Sequence, residues 1–276
     1  ICGQTDEIKV ARAALHFWEE PCISGEKGSG AVFFSGCALH CVFCQNENIA
    51  NGTAGKVIST ARLCEIFLEL QEKGANNINL VTPGQFAPQI IKAVELARDQ
   101  NLTIPIVYNT SSYENVDTIR SLEGIVDIYL PDFKYQDAAL SAKYSHAPDY
   151  PSVAKEAIKE MVRQAGEAVF ENGEDSLMKR GTIVRHLILP GCTKDSKAVL
   201  SYLHETYGNE IYISIMHQFT PLSNVKKYPE LNRRITEREY NEVVDFAIDI
   251  GIENGFIQDG ETAEESFIPE FDNEGV

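Results

Sequence analysis

No stretch of this 276-residue chain is apolar for long enough to cross a bilayer as a helix, and no secretory leader is visible. No membrane partner is therefore expected. Basic residues are scarce: 24 Lys and Arg face 41 Asp and Glu, for a net charge of −17. Phosphate neutralisation needs clustered Lys and Arg, so no nucleic-acid partner is expected either. No low-complexity linker or internal repeat interrupts the chain, which points to one main domain. No G-x-G-x-x-G follows the first candidate strand, which weighs against a doubly wound dinucleotide fold. Cysteine is too sparse and unevenly spaced for a secreted disulfide framework: there are seven, an odd number, with three in one short loop. A reducing compartment, and hence the cytoplasm, is expected. The chain begins at Ile1 instead of Met and reads as a trimmed or partial sequence.

The bulk of what is present is ordinary, with 43% hydrophobic and 24% charged residues, and the chain is long enough for a substantial core. The unusual feature is Ser35-Gly36-Cys37-Ala38-Leu39-His40-Cys41-Val42-Phe43-Cys44, a C-x3-C-x2-C triplet just after the apolar run Ala31 to Phe34. Structural zinc takes four protein ligands in a closed tetrahedron. Iron in a 4Fe–4S cluster is also held by cysteine sulfur, and three thiolates leave one iron open to a small molecule. Two-cluster ferredoxins use C-x2-C-x2-C with a later Cys-Pro, a spacing absent here. A loop of buried or zinc-bound thiols is the plain alternative.

Downstream, short β-rich runs alternate with helical patterns. Strands are expected at Ala31–Ser35, Asn77–Val81, Ile104–Tyr108, Val126–Leu130, Thr182–Leu189, Glu210–Met216 and Gly255–Gln258. Helices are expected at Ala61–Lys73, Ala87–Gln100, Ala154–Glu171, Lys197–Tyr207 and Glu237–Ile250, with Thr60 and Thr236 as N-caps. Gly28-Ser29-Gly30 reads as a turn. Repeated βα units imply a parallel sheet, and six or so suggest a partial (β/α)6 TIM-like barrel. Residues 1–30 form an N-terminal extension, 31–258 the barrel, and 259–276 an acidic tail read as a solvated terminus. Chemistry in such a fold gathers at the carboxyl ends of the strands.

Polar clusters recur there: Thr82-Pro83-Gly84-Gln85, Asn109-Thr110-Ser111, Asp132-Phe133-Lys134, Arg185 ahead of Leu189-Pro190-Gly191-Cys192, and Met216-His217-Gln218. Taken singly, Thr-Pro-Gly and Asn-Thr-Ser are good turn sequences, and Asp132 with Lys134 reads as a surface pair worth little. Arg185 on an apolar strand is harder to set aside, because a buried guanidinium needs an anionic partner. His40 and His217 read as hydrogen-bonded structural residues. Cys64 reads as buried and inert, and Cys2 and Cys22 carry no assignable role.

The cysteine triplet with Phe43 before its last member resembles the signature of the radical S-adenosylmethionine superfamily. The order of the later motifs resembles its pyruvate formate-lyase-activating-enzyme-like branch. The segment His16 to Gly25 is similar to that branch's activating-enzyme-related group. The resemblance spans about Ala13 to Gln258 and implies a radical SAM partial barrel. It implies that Cys37, Cys41 and Cys44 hold a 4Fe–4S cluster whose open iron chelates S-adenosylmethionine, which an electron then cleaves to a 5′-deoxyadenosyl radical. It assigns cofactor contacts to Phe43, Thr82, Pro83, Gly84, Gln85, Asn109, Thr110, Ser111, Arg185, Met216 and Gln218, with Arg185 on the methionine carboxylate. Asp132 and Lys134 fall near the substrate face, where the aspartate also suits a monovalent cation; Cys192, from its place after Pro190-Gly191, is a candidate hydrogen donor or ligand, with turn packing as the plain alternative. Thr82 to Gln85 stands where the superfamily has Gly-Gly-Glu, and lacks the acidic residue. The implied partners are S-adenosylmethionine, a reductant such as flavodoxin or ferredoxin, and a protein or peptide substrate, the glycine of a glycyl-radical enzyme among them. The implied activity is that of an oxidoreductase. Rival functions are a radical enzyme for small molecules, a non-catalytic iron–sulfur electron carrier or sensor, and a zinc module.

Overall fold

A computed structural model describes residues 2–171, 176–257, 269 and 271–276. The strands are β1 (Ile8–His16), β2 (Ser29–Phe34), β3 (Lys56–Ile58), β4 (Ile78–Val81), β5 (Ile106–Thr110), β6 (Ile128–Pro131), β7 (Val169–Phe170), β8 (Met178–Leu187), β9 (Tyr212–Met216) and β10 (Gly255–Ile257). They form one sheet in the order β10-β9-β8-β6-β5-β4-β2-β1-β3, with β7 pairing to β8. All pairings from β2 through β10 along that path are parallel. The sheet is open: β3 and β10 end it without meeting. This is the expected partial barrel of βα units, with an antiparallel edge added.

Strand alternation explains the two layers. Ile106 and Tyr108 of β5 pack into a core with Ile66, Phe67, Ile90 and Val94 from the helices Thr60–Glu72 and Ala87–Arg98. Val107, between them, faces the other way, into a cluster with Ile128, Leu130 and Ile183 of neighbouring strands. Cys22 and Ile23 of the short helix Pro21–Ser24 join that cluster. The segment after β1 therefore folds into the concave side of the sheet and closes it from below.

Several boundaries differ from the sequence reading. β1 was not expected at all; it binds β2 in antiparallel register, His16 opposite Ser29. That pairing draws Ser29 and Gly30 into β2, leaving Gly28, at φ +84°, as the turn. β5 ends two residues later than expected, so Asn109 and Thr110 are strand residues. The helix expected to reach Glu171 stops at Ala165, where Gly166 takes a positive φ, and β7 follows. Ser59, not Thr60, caps the helix Thr60–Glu72, accepting from Arg62 N at 3.1 Å. Gln258 and much of the expected acidic tail lie outside the described residues. Residues 271–276 are not a solvated terminus, for they bond to β1 through Asn273 and Glu274. No helix among the described residues is long and apolar enough to cross a membrane.

Candidate active site

The cysteine loop leaves β2 through Gly36, whose φ of +94° is open to glycine. Main-chain bonds from Gly36 N to Ile49 O (2.7 Å) and Cys37 N to Ala50 O (3.1 Å) pin its base. The Gln85 amide donates to Ser35 O (2.9 Å) and Gly36 O (3.0 Å), tying the loop to the end of β4. Cys44 N returns to Cys41 O at 3.0 Å, and Ser145 Oγ donates to Cys41 Sγ at 3.1 Å. Phe43 is buried against Phe219, ring centroids 6.1 Å apart, which anchors the hydrophobic side of the loop. All three cysteines are free thiols. Burial raises the Cys37 thiol, pushes Cys41 up to about 11 and Cys44 up to about 12, so metal loading must release their protons.

The thiols line one cavity of about 270 Å3. Yet no three His, Cys, Asp or Glu side chains among the described residues converge closely enough for a single ion. A lone zinc draws its sulfur ligands to about 2.3 Å, whereas a cubane takes one thiolate per iron. Three thiols from one short loop on one cavity are a donor set that fits such a cluster.

Above the plugged floor, the strand ends supply charge. Arg185 Nε donates to Asp132 Oδ1 (2.8 Å), Nη1 to Glu19 Oε2 (3.1 Å) and Nη2 to Asn109 Oδ1 (2.7 Å). Lys134 Nζ donates to the other Asp132 oxygen at 2.6 Å. Glu19 also accepts from Asn79 (3.0 Å) and Asn109 (3.4 Å). Burial works against the Asp132 charge, but Arg185 and Lys134 together hold its carboxyl below the usual range. Burial raises Glu19, which Arg185 only partly offsets, and raises Glu20 in the same way.

Of the residues singled out in the sequence, Cys37, Cys41, Phe43, Cys44, Thr82, Asn109, Thr110, Ser111, Asp132, Lys134, Arg185, Met216 and Gln218 all line this cavity. Pro83, Gly84, Gln85 and Cys192 do not line it. Gln85 is spent on the loop carbonyls. Cys192 lies before the helix Thr193–Tyr207, its thiol 3.7 Å from Pro190 O. A Cβ on Gly84 would collide with the Glu114 carboxylate, so Gly84 makes room for it. Glu114 thereby places beside Thr82–Gln85 an acid the segment itself lacks, and it accepts from the Thr110 hydroxyl at 2.6 Å. Glu19, His16 and Trp18 also line the cavity and had no assigned role. The segment His16 to Gly25 that carries them stands out in the sequence as a resemblance to a group, which gives no role to its individual side chains.

Comparison with known proteins agrees with this geometry. Residues 23–147 match the model of a 4Fe-4S single cluster domain. An uncharacterised protein of Methanocaldococcus jannaschii is 26% identical over 244 residues, 84% of this chain, and the chain spans 65% of that relative's length. Among solved structures, HydG, a maturase of the FeFe-hydrogenase, gives a TM-score of 0.55 at 13% identity over 86% of this chain and 54% of its own. Native anSMEcpe with bound AdoMet gives 0.53 at 12% identity, covering 78% of this chain and 58% of its own. Streptococcus suis SuiB, bound to the precursor peptide SuiA, gives 0.52 at 13%, covering 81% and 46%. Identities this low speak for the fold, an open α/β barrel. The matched iron–sulfur domain covers the C-x3-C-x2-C loop, and the open barrel around it is the fold that these solved structures share.

Proposed function

We propose that this chain is a radical enzyme that abstracts hydrogen from a peptide segment, using a 4Fe–4S cluster on Cys37, Cys41 and Cys44 and S-adenosylmethionine in the adjoining cavity. The carrying observation is that these three cysteines alone, among the described residues, line a cavity that also holds Asp132, Lys134 and Arg185. Cys37, Cys41 and Cys44 would hold the cluster, which when bound and reduced would supply an electron for one-electron chemistry at the sulfonium.

The chain's own residues bind, orient and exclude water. Arg185 is already neutralised by Asp132 and Glu19, so it holds the floor rigid and offers little to a further anion. Lys134 spends one N–H on Asp132 and keeps others for the methionine carboxylate. Asn109, Thr110, Ser111 and the Thr82 hydroxyl present the polar face at the strand ends. Phe33, Phe43, Leu39, Val81, Leu187 and Met216 supply an apolar wall that keeps water from a reactive centre. A peptide substrate is favoured because SuiB, of the same fold, was solved with a peptide bound. The glycine of a glycyl-radical enzyme is one member of that class.

The test is anaerobic reconstitution with iron and sulfide, then dithionite and S-adenosylmethionine. The intact chain is expected to form 5′-deoxyadenosine. Cys41→Ala is expected to lose both the visible cluster absorption and the product. Cys64→Ala is expected to keep both, since Cys64 packs in the core of the helix Thr60–Glu72 away from the cavity. Product formation by the Cys41 variant at the intact chain's rate would contradict the assignment. An electron carrier or a zinc module would give none in either.

A further inference from the structure

The edge of β1 that β3 leaves open is filled by the chain itself. Asn273 N donates to Ala11 O at 3.1 Å, and Ala13 N donates to Glu274 O at 2.8 Å. Arg12 forms ion pairs with Asp272 (3.1 Å) and with Glu274. Phe271 sets its ring 5.5 Å from Phe33, a residue of the cavity wall, and joins the cluster of Ala11, Ala31 and Ile49. Pro269 lines the cavity directly. Gly275, at φ +73°, lies so close to β1 that a Cβ there would collide with Ala13 O. These contacts are of two kinds. The backbone bonds and the apolar contact resemble a strand addition, while the acidic contacts are half exposed and open to salt.

A strand edge that no neighbouring strand takes up is a template for another extended chain, and this one lies beside Phe33 of β2, which lines the cavity. We propose that the β1 edge at Ala11–Ala13, flanked by Arg12 and Phe33, is the docking groove for the substrate peptide, and that residues 271–276 are its resident placeholder. The groove selects an extended segment carrying an aromatic residue followed by acidic ones, as in Phe271-Asp272-Asn273-Glu274. Substrate displaces the placeholder and lays its own backbone on β1, which brings its adjoining residues to the cavity where Pro269 now stands. A tethered segment acts at an effective concentration far above that of a free peptide, so it holds the groove against weak ligands.

The inference rests on the peptide-substrate reading, but its test needs neither cluster nor S-adenosylmethionine, so the two fail separately. The probe is a fluorescein-labelled peptide Phe-Asp-Asn-Glu-Gly-Val, followed by anisotropy on the full chain. The intact chain is expected to bind it weakly. The variant Asp272→Lys with Glu274→Lys, which turns the placeholder's acids against Arg12, is expected to bind at least about tenfold more tightly. Adding Arg12→Glu to that variant is expected to abolish the gain. Gly275→Ala, which forces the placeholder off the Ala13 carbonyl, provides an independent route to the same opened groove. Equal binding by the intact chain and both opened variants, or a gain that survives Arg12→Glu, would overturn the proposal.

Discussion

Arg185 shows what a single residue demands of its surroundings. Its guanidinium sits inside the sheet with only 14% of its side chain exposed, and Glu19 with 9%. Burial of such charges costs several kcal/mol each unless they are paired and hydrogen-bonded. Asp132, Glu19 and Asn109 meet that demand, and the sequence predicted a partner for Arg185 without showing which one. Replacing Glu19 with Leu leaves the guanidinium one carboxylate short, and a loss of about 3–5 kcal/mol is expected in urea unfolding. A loss under about 1 kcal/mol would show that the pair behaves like a solvated surface contact. The cysteines were legible because chemistry fixes their spacing. Glu19 was not, because it lies 166 positions from its partner and the fold alone joins them. Asp132 and Lys134, read singly as a surface pair, are instead side chains of 17% and 16% exposure in the same network.

At the scale of elements, helices were read better than strand ends. The helix Glu237–Asp249 begins with a reciprocal cap: Thr236 Oγ1 accepts from Glu239 N at 3.2 Å, and Thr236 N donates to Glu239 Oε2 at 2.9 Å. Glu239 also accepts from Gly191 N at 2.8 Å, which fastens the turn after β8 to that helix. Thr236→Ala is expected to cost about 1 kcal/mol of stability by thermal or urea unfolding, and no measurable change would mean the cap is idle. Threonine before a periodic apolar run shows this cap in advance. β1 gave no such sign, because its strand character depends on antiparallel pairing with β2 and not on a local pattern. The two-residue shift of β5 has the same origin. Its end is set by bonds to β6, Thr110 opposite Pro131, and these lie outside any window around Asn109.

For the whole molecule, the open sheet is the decisive feature. A closed barrel would fill its interior with side chains. Here β3 and β10 stand apart, the segment from β1 plugs the floor, and the cysteine loop roofs a cavity at the carboxyl ends of the strands. That architecture was legible as repeated βα units. The plug and the docked residues 271–276 were not, since both are recruited by surfaces that only the folded sheet creates. Three thiolates from Cys37, Cys41 and Cys44 would leave one iron of a bound cluster open to the methionyl group of S-adenosylmethionine. Electron–nuclear double resonance on the dithionite-reduced protein, with S-adenosylmethionine isotopically labelled at its carboxylate and amino groups, measures this directly. Hyperfine coupling of both labelled groups to the cluster is the predicted result. Absence of coupling in a protein with an intact, fully loaded cluster would contradict the account.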